Sequence, residues 1–442
     1  MEKTKIKAIL LEQKEEITEI FKQKIIRREA EARAKRMLKG PLVKVIMGVR
    51  RSGKSVLAHQ LLQGDSYGYV NFDDERLVKV GAGDLNDFLE VLQEIEPGVK
   101  TLFLDEIQNV EGWELFVNRL LRKRYNLVVS GSNAKLLSRE LATHLTGRHL
   151  SLELYPFSFK EFLDFNNVTF EERDFAITEK RASIKNLLEQ YLNWGGFPEV
   201  YQTAMKENYL RELFSKIVMR DIILRYGIKY GRDLKEIALY AASNCAARFT
   251  YHKIRNLFEV KSVHTIKNYL DYLQESYLIF QLHPFSFKLK EQLRQPRKLY
   301  GIDNAMMRAM APSFTQDRGK WIENLVLLEW KRRGEEIYFY SQGNYEIDFV
   351  IRKGTRINQL LQVSYSLEDR DTRKREVQSL LHASKKLHCE NLAIVTWDTE
   401  AEEKVGPAKI KIVPLWKWLL TGITNTPQTL RRFPALERKT GV

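Results

Sequence analysis

The chain has 442 residues, 44% hydrophobic and 29% charged, with a formal net charge of +15 at pH 7. Length predicts about three domains, and the composition is that of a globular protein. The charge predicts a polyanionic partner, most often nucleic acid and less often an anionic membrane surface, or else only a basic, solubilising surface. Two cysteines, Cys245 and Cys389, exclude a disulfide framework and a four-thiolate zinc site and predict a reducing compartment. No apolar run approaches the roughly 20 residues needed to span a bilayer, and the charged N-terminus lacks a signal-peptide core. The expectation is a cytoplasmic protein with no membrane contact.

Residues 1–38 read as a helical arm, with Ile6, Ile9, Leu10, Ile17, Ile20, Phe21 and Ile25 at helical spacing and a basic stretch over 27–39. From Leu42 the pattern changes to short apolar runs between helical segments, which predicts a parallel α/β sheet over 39–160. Strands are expected at 43–47, 67–71, 101–104, 127–129 and 150–154. Residues 161–230 read as helical, interrupted by a sharp turn at Trp194-Gly195-Gly196-Phe197-Pro198. Residues 231–303 give three helices, 234–247, 251–258 and 263–276, then a ribbon. An α/β pattern returns over 304–442, with a helix at 321–333 and strands at 337–340, 347–351, 360–365 and 392–396.

The segment Gly48-Val49-Arg50-Arg51-Ser52-Gly53-Lys54-Ser55 fits G-x-x-x-x-G-K-[ST] at every defined position, between an apolar strand and a helix that begins with Val56. Glycines let backbone N–H groups turn inward around a phosphate, and the helix N-terminus adds a favourable dipole. Residues Gly48, Arg50, Arg51, Ser52, Gly53, Lys54, Ser55 and Val56 are therefore the candidate ATP cradle. Lys54 is expected at the β and γ oxygens and Ser55 on Mg²⁺. A second apolar strand ends in Asp105-Glu106. Asp105 is the second candidate for the Mg²⁺ shell, and Glu106 the candidate to polarise an attacking water. Ser132 or Asn133, after the next strand, is placed to touch the γ-phosphate or that water, although a helix cap explains them equally. Arg148 reads either as a finger completing a neighbouring subunit's site or as a structural ion pair.

The P-loop, Tyr69–Arg76, Leu104–Gln108, Gly131–Ala134, Leu154–Phe162 and Gly195–Pro198, with Glu323-Asn324 and Glu346–Phe349, together resemble the archaeal and bacterial AAA+-type ATPases that carry a conserved C-terminal domain. The resemblance covers nearly the whole chain. It implies an α/β fold with a P-loop AAA+-type core, a helical lid, a winged helix and a restriction-nuclease-like C-terminal domain. Roles proposed for such proteins are remodelling of branched DNA and switch-like defence or regulation.

A restriction-type nuclease needs a helix glutamate, a strand aspartate and an acid-x-lysine on the next strand. Glu323 and Asp348 fill the first two places, but Gln362 and Ser364 stand where acid and lysine belong, so the domain reads as catalytically inactive. In the winged-helix stretch, Lys261 and Lys267 lie near the start of the third helix, where a recognition helix meets DNA. The ribbon after it carries Lys288, Lys290, Arg294, Arg297 and Lys298 against one acid, Glu291. The reading is a DNA-binding, Mg²⁺-dependent ATPase acting as a homo-oligomer. Its alternative is a nucleotide-dependent switch acting through protein assembly, and a third, an ATP-dependent nuclease, is disfavoured by Gln362 and Ser364.

Overall fold

A computed structural model describes residues 1–22, 24–133, 147–229, 231–311 and 317–422. The fold is α/β. Its first sheet has five parallel strands, β1 (Val43–Met47), β2 (Tyr67–Asn71), β3 (Thr101–Asp105), β4 (Asn126–Gly131) and β5 (His149–Glu153), in spatial order β2-β3-β4-β1-β5. All five match the expected strands to within two residues. Parallel strands point their C-terminal ends to one edge, so the P-loop after β1, the acids after β3 and Ser132 after β4 emerge side by side. β1 is buried along its whole length, with β4 on one flank and β5 on the other. Even Lys44 is enclosed there, its ammonium donating to Gly40 O and Asn126 Oδ1, both at 2.6 Å.

The N-terminal arm is two helices, not one. Lys3–Phe21 buries Ile6, Ile9 and Leu10 against the core, and Glu31–Leu38 follows after a non-helical stretch. The first helix also protects the edge strand β2. Gln13 donates to Asn71 O (3.1 Å) and accepts from Asn71 N (2.9 Å), filling both positions a further strand would take. Among the described residues, no helix is long and apolar enough to cross a membrane.

Residues 159–229 are largely helical. Ser158 and Glu161 form a reciprocal cap at Phe159–Phe165, and the expected turn ends the helix Thr178–Trp194. Gly195 adopts φ 74°, and any Cβ there would lie 2.2 Å from the Asp303 carboxylate. The close approach lets Gly196 N donate to Asp303 Oδ2 at 2.7 Å, which ties this layer to the next unit.

That unit packs the helices Gly231–Ser243, Tyr251–Leu257 and Val263–Glu275 beside a small antiparallel sheet of β6 (Ala247–Phe249), β7 (Ile279–Leu282) and β8 (Arg297–Gly301), ordered β6-β8-β7. The expected first helix, 234–247, ran four residues past the observed end at Ser243 and into the first residue of β6. The supposed basic ribbon is a short helix, Leu289–Arg294, running into β8. The third sheet holds β9 (Glu336–Gln342), β10 (Tyr345–Lys353), β11 (Arg356–Val363), β12 (Leu392–Thr396), β13 (Ala401–Val405) and β14 (Ala408–Pro414), ordered β13-β14-β12-β11-β10-β9. The hairpin β9–β10–β11 is antiparallel, and the helix Arg370–Leu387 carries the chain over to β12, parallel to β11.

On the inner face of the P-loop helix Lys54–Leu62, His59 is 2% exposed, 4.5 Å from Tyr69 and 5.0 Å from Phe103 between ring centres. Burial pushes its imidazole down to about 4. The unfolded chain therefore takes up this proton near pH 6.5 while the folded chain resists it. Stability from this residue should be full above pH 6.5 and be lost between about 6.5 and 4, by roughly 3 kcal/mol. Urea titrations across that range should show His59→Phe with a shallower acid loss than wild type. Parallel curves would contradict the assignment.

Candidate functional site

The loop after β1 is closely packed. A Cβ on Gly48 would come 2.0 Å from Leu154 O, so a side chain there would force β1 and the segment after β5 apart. Gly53 (φ 88°) and Arg51 (φ 67°) turn the backbone into the helix at Lys54. Ser52 and Lys54 are buried, with Ser55 and Val56 partly so. Lys54 Nζ lies 3.3 Å from Val49 O and 3.5 Å from Glu106 Oε1. Arg50 and Arg51 do not face an open cradle. Arg50 is held by Asp73 (3.2 Å) and Asp221 (3.3 Å), and Arg51 pairs with Glu199 at 2.8 Å.

Asp105 and Glu106 stand at the end of β3 as expected, Glu106 in the left-handed region at φ 49°. The two carboxylates are shifted in opposite directions. Burial, reinforced by the charge of Glu106, pushes Asp105 up to about 6, while hydrogen bonds from Ser130 and Ser55 pull the other way. Burial would raise Glu106 too, but Lys54 and Arg50, with Gln108 and Arg225, outweigh it and hold this carboxyl below its ordinary value. Ser132 joins the same group, donating to Glu106 Oε2 from its backbone N (3.2 Å) and from Oγ (3.1 Å). Asn133 turns elsewhere, its amide donating to Tyr226 OH at 2.9 Å. The oxygens of partly buried Ser55 and buried Asp105, beside an ammonium and an ionised carboxylate, have the chemistry of a site for a metal-bound phosphate chain.

Sequence reasoning missed Arg225. It follows the π-helical segment Ile217–Leu224, contributes to keeping Glu106 ionised, and has a buried Nη1 with no hydrogen-bond partner. No local motif marks it; only the packing of the helical layer on the sheet brings it here. Arg148 is exposed immediately before β5, beside the N-terminal end of β1. It thus lies at the opposite edge of the sheet from its own chain's P-loop.

The chain is similar in sequence to "Uncharacterized protein MJ1544" of Methanocaldococcus jannaschii, 37% identical over 420 residues that cover 90% of this chain and 92% of the relative. It belongs to the same protein family. A Haemophilus influenzae protein, also described as uncharacterized, is 35% identical over 77% of this chain and 86% of that one. Residues 41–163 match the AAA domain family, and residues 185–317 match a domain of unknown function. Among solved structures, the Walker-type ATPase paby2304 of Pyrococcus abyssi matches at 15% identity and a TM-score of 0.41, covering 65% of this chain and 96% of that one. The AAA-domain match over residues 41–163 takes in both the Gly48–Ser55 loop and Asp105-Glu106.

The basic surface differs from expectation. Lys261, two residues before the helix Val263–Glu275, and Lys267 on it are exposed, and so are Lys288, Lys290 and Arg294, with Lys288 paired to Glu291 at 3.1 Å. Arg297 is half-buried over the Tyr251 ring and donates to Gln281 Oε1 at 3.1 Å. Lys298 is buried. Its ammonium lies 2.9 Å from Glu323 Oε1, 2.9 Å from Asp348 Oδ1 and 2.8 Å from Glu346 Oε1. Charge counting took it for a surface residue, but it alternates inward on β8.

This lysine sits between Glu323 and Asp348, the two acids expected of a nuclease-like site. Gln362 bridges the site, its Oε1 accepting from Asp348 N (2.8 Å) and its Nε2 donating to Glu346 O and Glu376 Oε2, both at 2.7 Å. Burial, then Asp348, pushes Glu323 up to about 7 against the pull of Lys298. Burial opposes the charge on Lys298, yet Asp348 and Glu323 prevail and keep it protonated. Among the described residues, no group of three or more acids, histidines or cysteines has a metal-holding arrangement. Removing one partner from a buried ionic cluster leaves the others uncompensated. Lys298→Met should therefore cost roughly 3–5 kcal/mol in urea unfolding, and a loss too small to measure would mean the ammonium does not hold this cluster.

Proposed function

We propose that this chain hydrolyses ATP with Mg²⁺, as an oligomer, and couples its nucleotide state to binding duplex or branched DNA. The observation that carries the catalytic part is the Glu106 carboxylate, kept ionised beside Asp105 and 3.5 Å from the Lys54 ammonium. In this reading Lys54 contacts the β and γ phosphates and Ser55 and Asp105 hold Mg²⁺, whose charge would offset that of the phosphates. Glu106 orients and polarises the attacking water, and Ser132 fixes the angle of that carboxylate. Arg225 supplies positive charge from the helical layer, so closure of that layer would complete the site. Arg148, remote from its own chain's P-loop, would act only on a neighbouring subunit.

For the DNA part, the order helix–strand–helix–helix–strand–helix–strand over residues 231–301 supports a winged-helix reading in which the short helix Leu289–Arg294 lies within the wing. Exposed Lys261, Lys267, Lys288, Lys290 and Arg294 support contact with phosphates, which position a protein without reading sequence. The C-terminal sheet, with Lys298 among its acids, is read as an inactive nuclease relative that braces this unit. A second reading, a switch acting through protein assembly, is favoured by Phe287, Leu289 and Leu293, which are 74%, 67% and 57% exposed beside the same basic residues.

ATP turnover measured with single-stranded, duplex and branched DNA separates the two readings. Stimulation by duplex or branched DNA is expected; none, with turnover rising on self-assembly, would favour the switch. With about five phosphate contacts, the log–log salt slope on duplex DNA should be near −4 to −5. Reversing Lys288, Lys290 and Arg294 to glutamate should flatten that slope and weaken all sequences alike, with basal turnover intact. Wild-type affinity in the reversed protein would exclude this surface as the DNA site.

A further inference from the structure

Between the P-loop core and the C-terminal sheet lies a cavity of about 930 Å³. Its volume is that of sites for small organic ligands, commonly about 300–1,000 Å³. On one side it is lined by Arg28 and by Glu153–Tyr155 at the end of β5, and on the other by the C-terminal end of the helix Arg318–Arg333 and by Gln359 of β11. None of its lining belongs to the P-loop.

Unmatched polar groups in this cavity are mainly donors. Gln359 is 1% exposed, yet its Nε2 has no hydrogen-bond partner. Arg332 gives Nη2 to Phe157 O (3.1 Å) and Pro156 O (3.2 Å), while its Nε is buried and unpartnered and its Nη1 lies 3.5 Å from Glu329 without a hydrogen bond. Arg33 and the exposed Lys353 add two cations that have no carboxylate partner among the described residues. The acceptors are mostly engaged. Glu161 holds Arg28, Glu329 holds Arg333, Glu153 accepts from Tyr155 OH and Tyr277 OH, and Glu29 accepts from Ser158 Oγ at 2.6 Å; Glu335 is the exception. Burying donors without acceptors is costly, and the group that relieves it is an oxygen-rich anion.

We propose that this cavity binds a phosphorylated small molecule, of nucleotide or sugar-phosphate size, as a regulator of the P-loop. Arg28 makes the connection. Its Nη2 donates to Tyr155 O at 2.6 Å, while its Nη1 donates to Ser52 O at 2.7 Å and packs beneath Gly53. A ligand drawing on this guanidinium changes the support of the loop, and by linkage nucleotide binding changes the ligand's affinity by the same factor. The proposal does not depend on DNA binding.

Pyrophosphate titrated calorimetrically into the full chain carrying Lys54→Ala, which weakens the hold of the P-loop, gives the test. Saturable binding is expected, weakened about ten- to hundredfold by adding Gln359→Leu, because a hydrogen bond to a charged group is lost. Without ligand, Gln359→Leu should unfold at or above the temperature of its parent, since it removes a donor that nothing in the fold accepts. Lys353→Glu, on the surface, should weaken binding as well and serves alone if the first variant does not fold. No saturable binding, or binding that neither substitution changes, overturns the proposal.

Discussion

Two adjacent buried carboxylates cannot both be ionised without nearby positive charge. At Asp105 and Glu106 the charge comes from Lys54 and Arg50 on the P-loop and from Arg225 on the helical layer. The outcome is asymmetric, with one carboxyl raised toward neutrality and the other held ionised. Much of the core architecture serves that asymmetry. The strand order puts β4 between β1 and β3, so Ser130 and Ser132 reach the acids from one side while Lys54 reaches them from another. Asp73 and Asp221 hold Arg50 where its field falls on Glu106. The helical layer is thereby tied electrostatically to the edge of the sheet that carries the Gly48–Ser55 loop.

A second charge cluster joins the later parts of the chain. Lys298 on β8 reaches into the C-terminal sheet, and Asp303, just beyond it, caps the helix Asn304–Met310 while accepting from Gly196. The unit over 231–301 is thus fastened both to the helical layer and to the last sheet. Arg332 spans the same boundary toward Phe157. Motions that open the nucleotide site should therefore be transmitted as rigid displacements of these joined units.

The P-loop and Asp105-Glu106 were legible in sequence because each is a contiguous pattern set by one strand end. The central strands β1, β3 and β4 were legible too, since buried parallel strands read as apolar runs, while the partly exposed edge strands β2 and β5 showed only as weaker, interrupted ones. Arg28, Asp221 and Arg225 were not, because their roles arise from contacts across more than a hundred residues of chain or across elements with no shared motif. Lys298 was misread, since net charge along a segment carries no record of which face of a strand points inward. β13, with sequence Ala-Glu-Glu-Lys-Val, escaped notice because an edge strand with charged residues lacks an apolar run. Of the two residues after β4, geometry separates Ser132, on Glu106, from Asn133, on Tyr226.

The central claim is a division of labour between Lys54 and Glu106, and paired measurements of ATP affinity and single-turnover hydrolysis test it most directly. Lys54→Ala should lose most ATP binding, since it removes the fixed cation at the phosphates. Glu106→Gln should bind ATP with affinity near wild type yet hardly turn it over, since an amide cannot polarise water comparably. Equal loss of binding in both variants, or near-normal turnover in Glu106→Gln, would contradict the account.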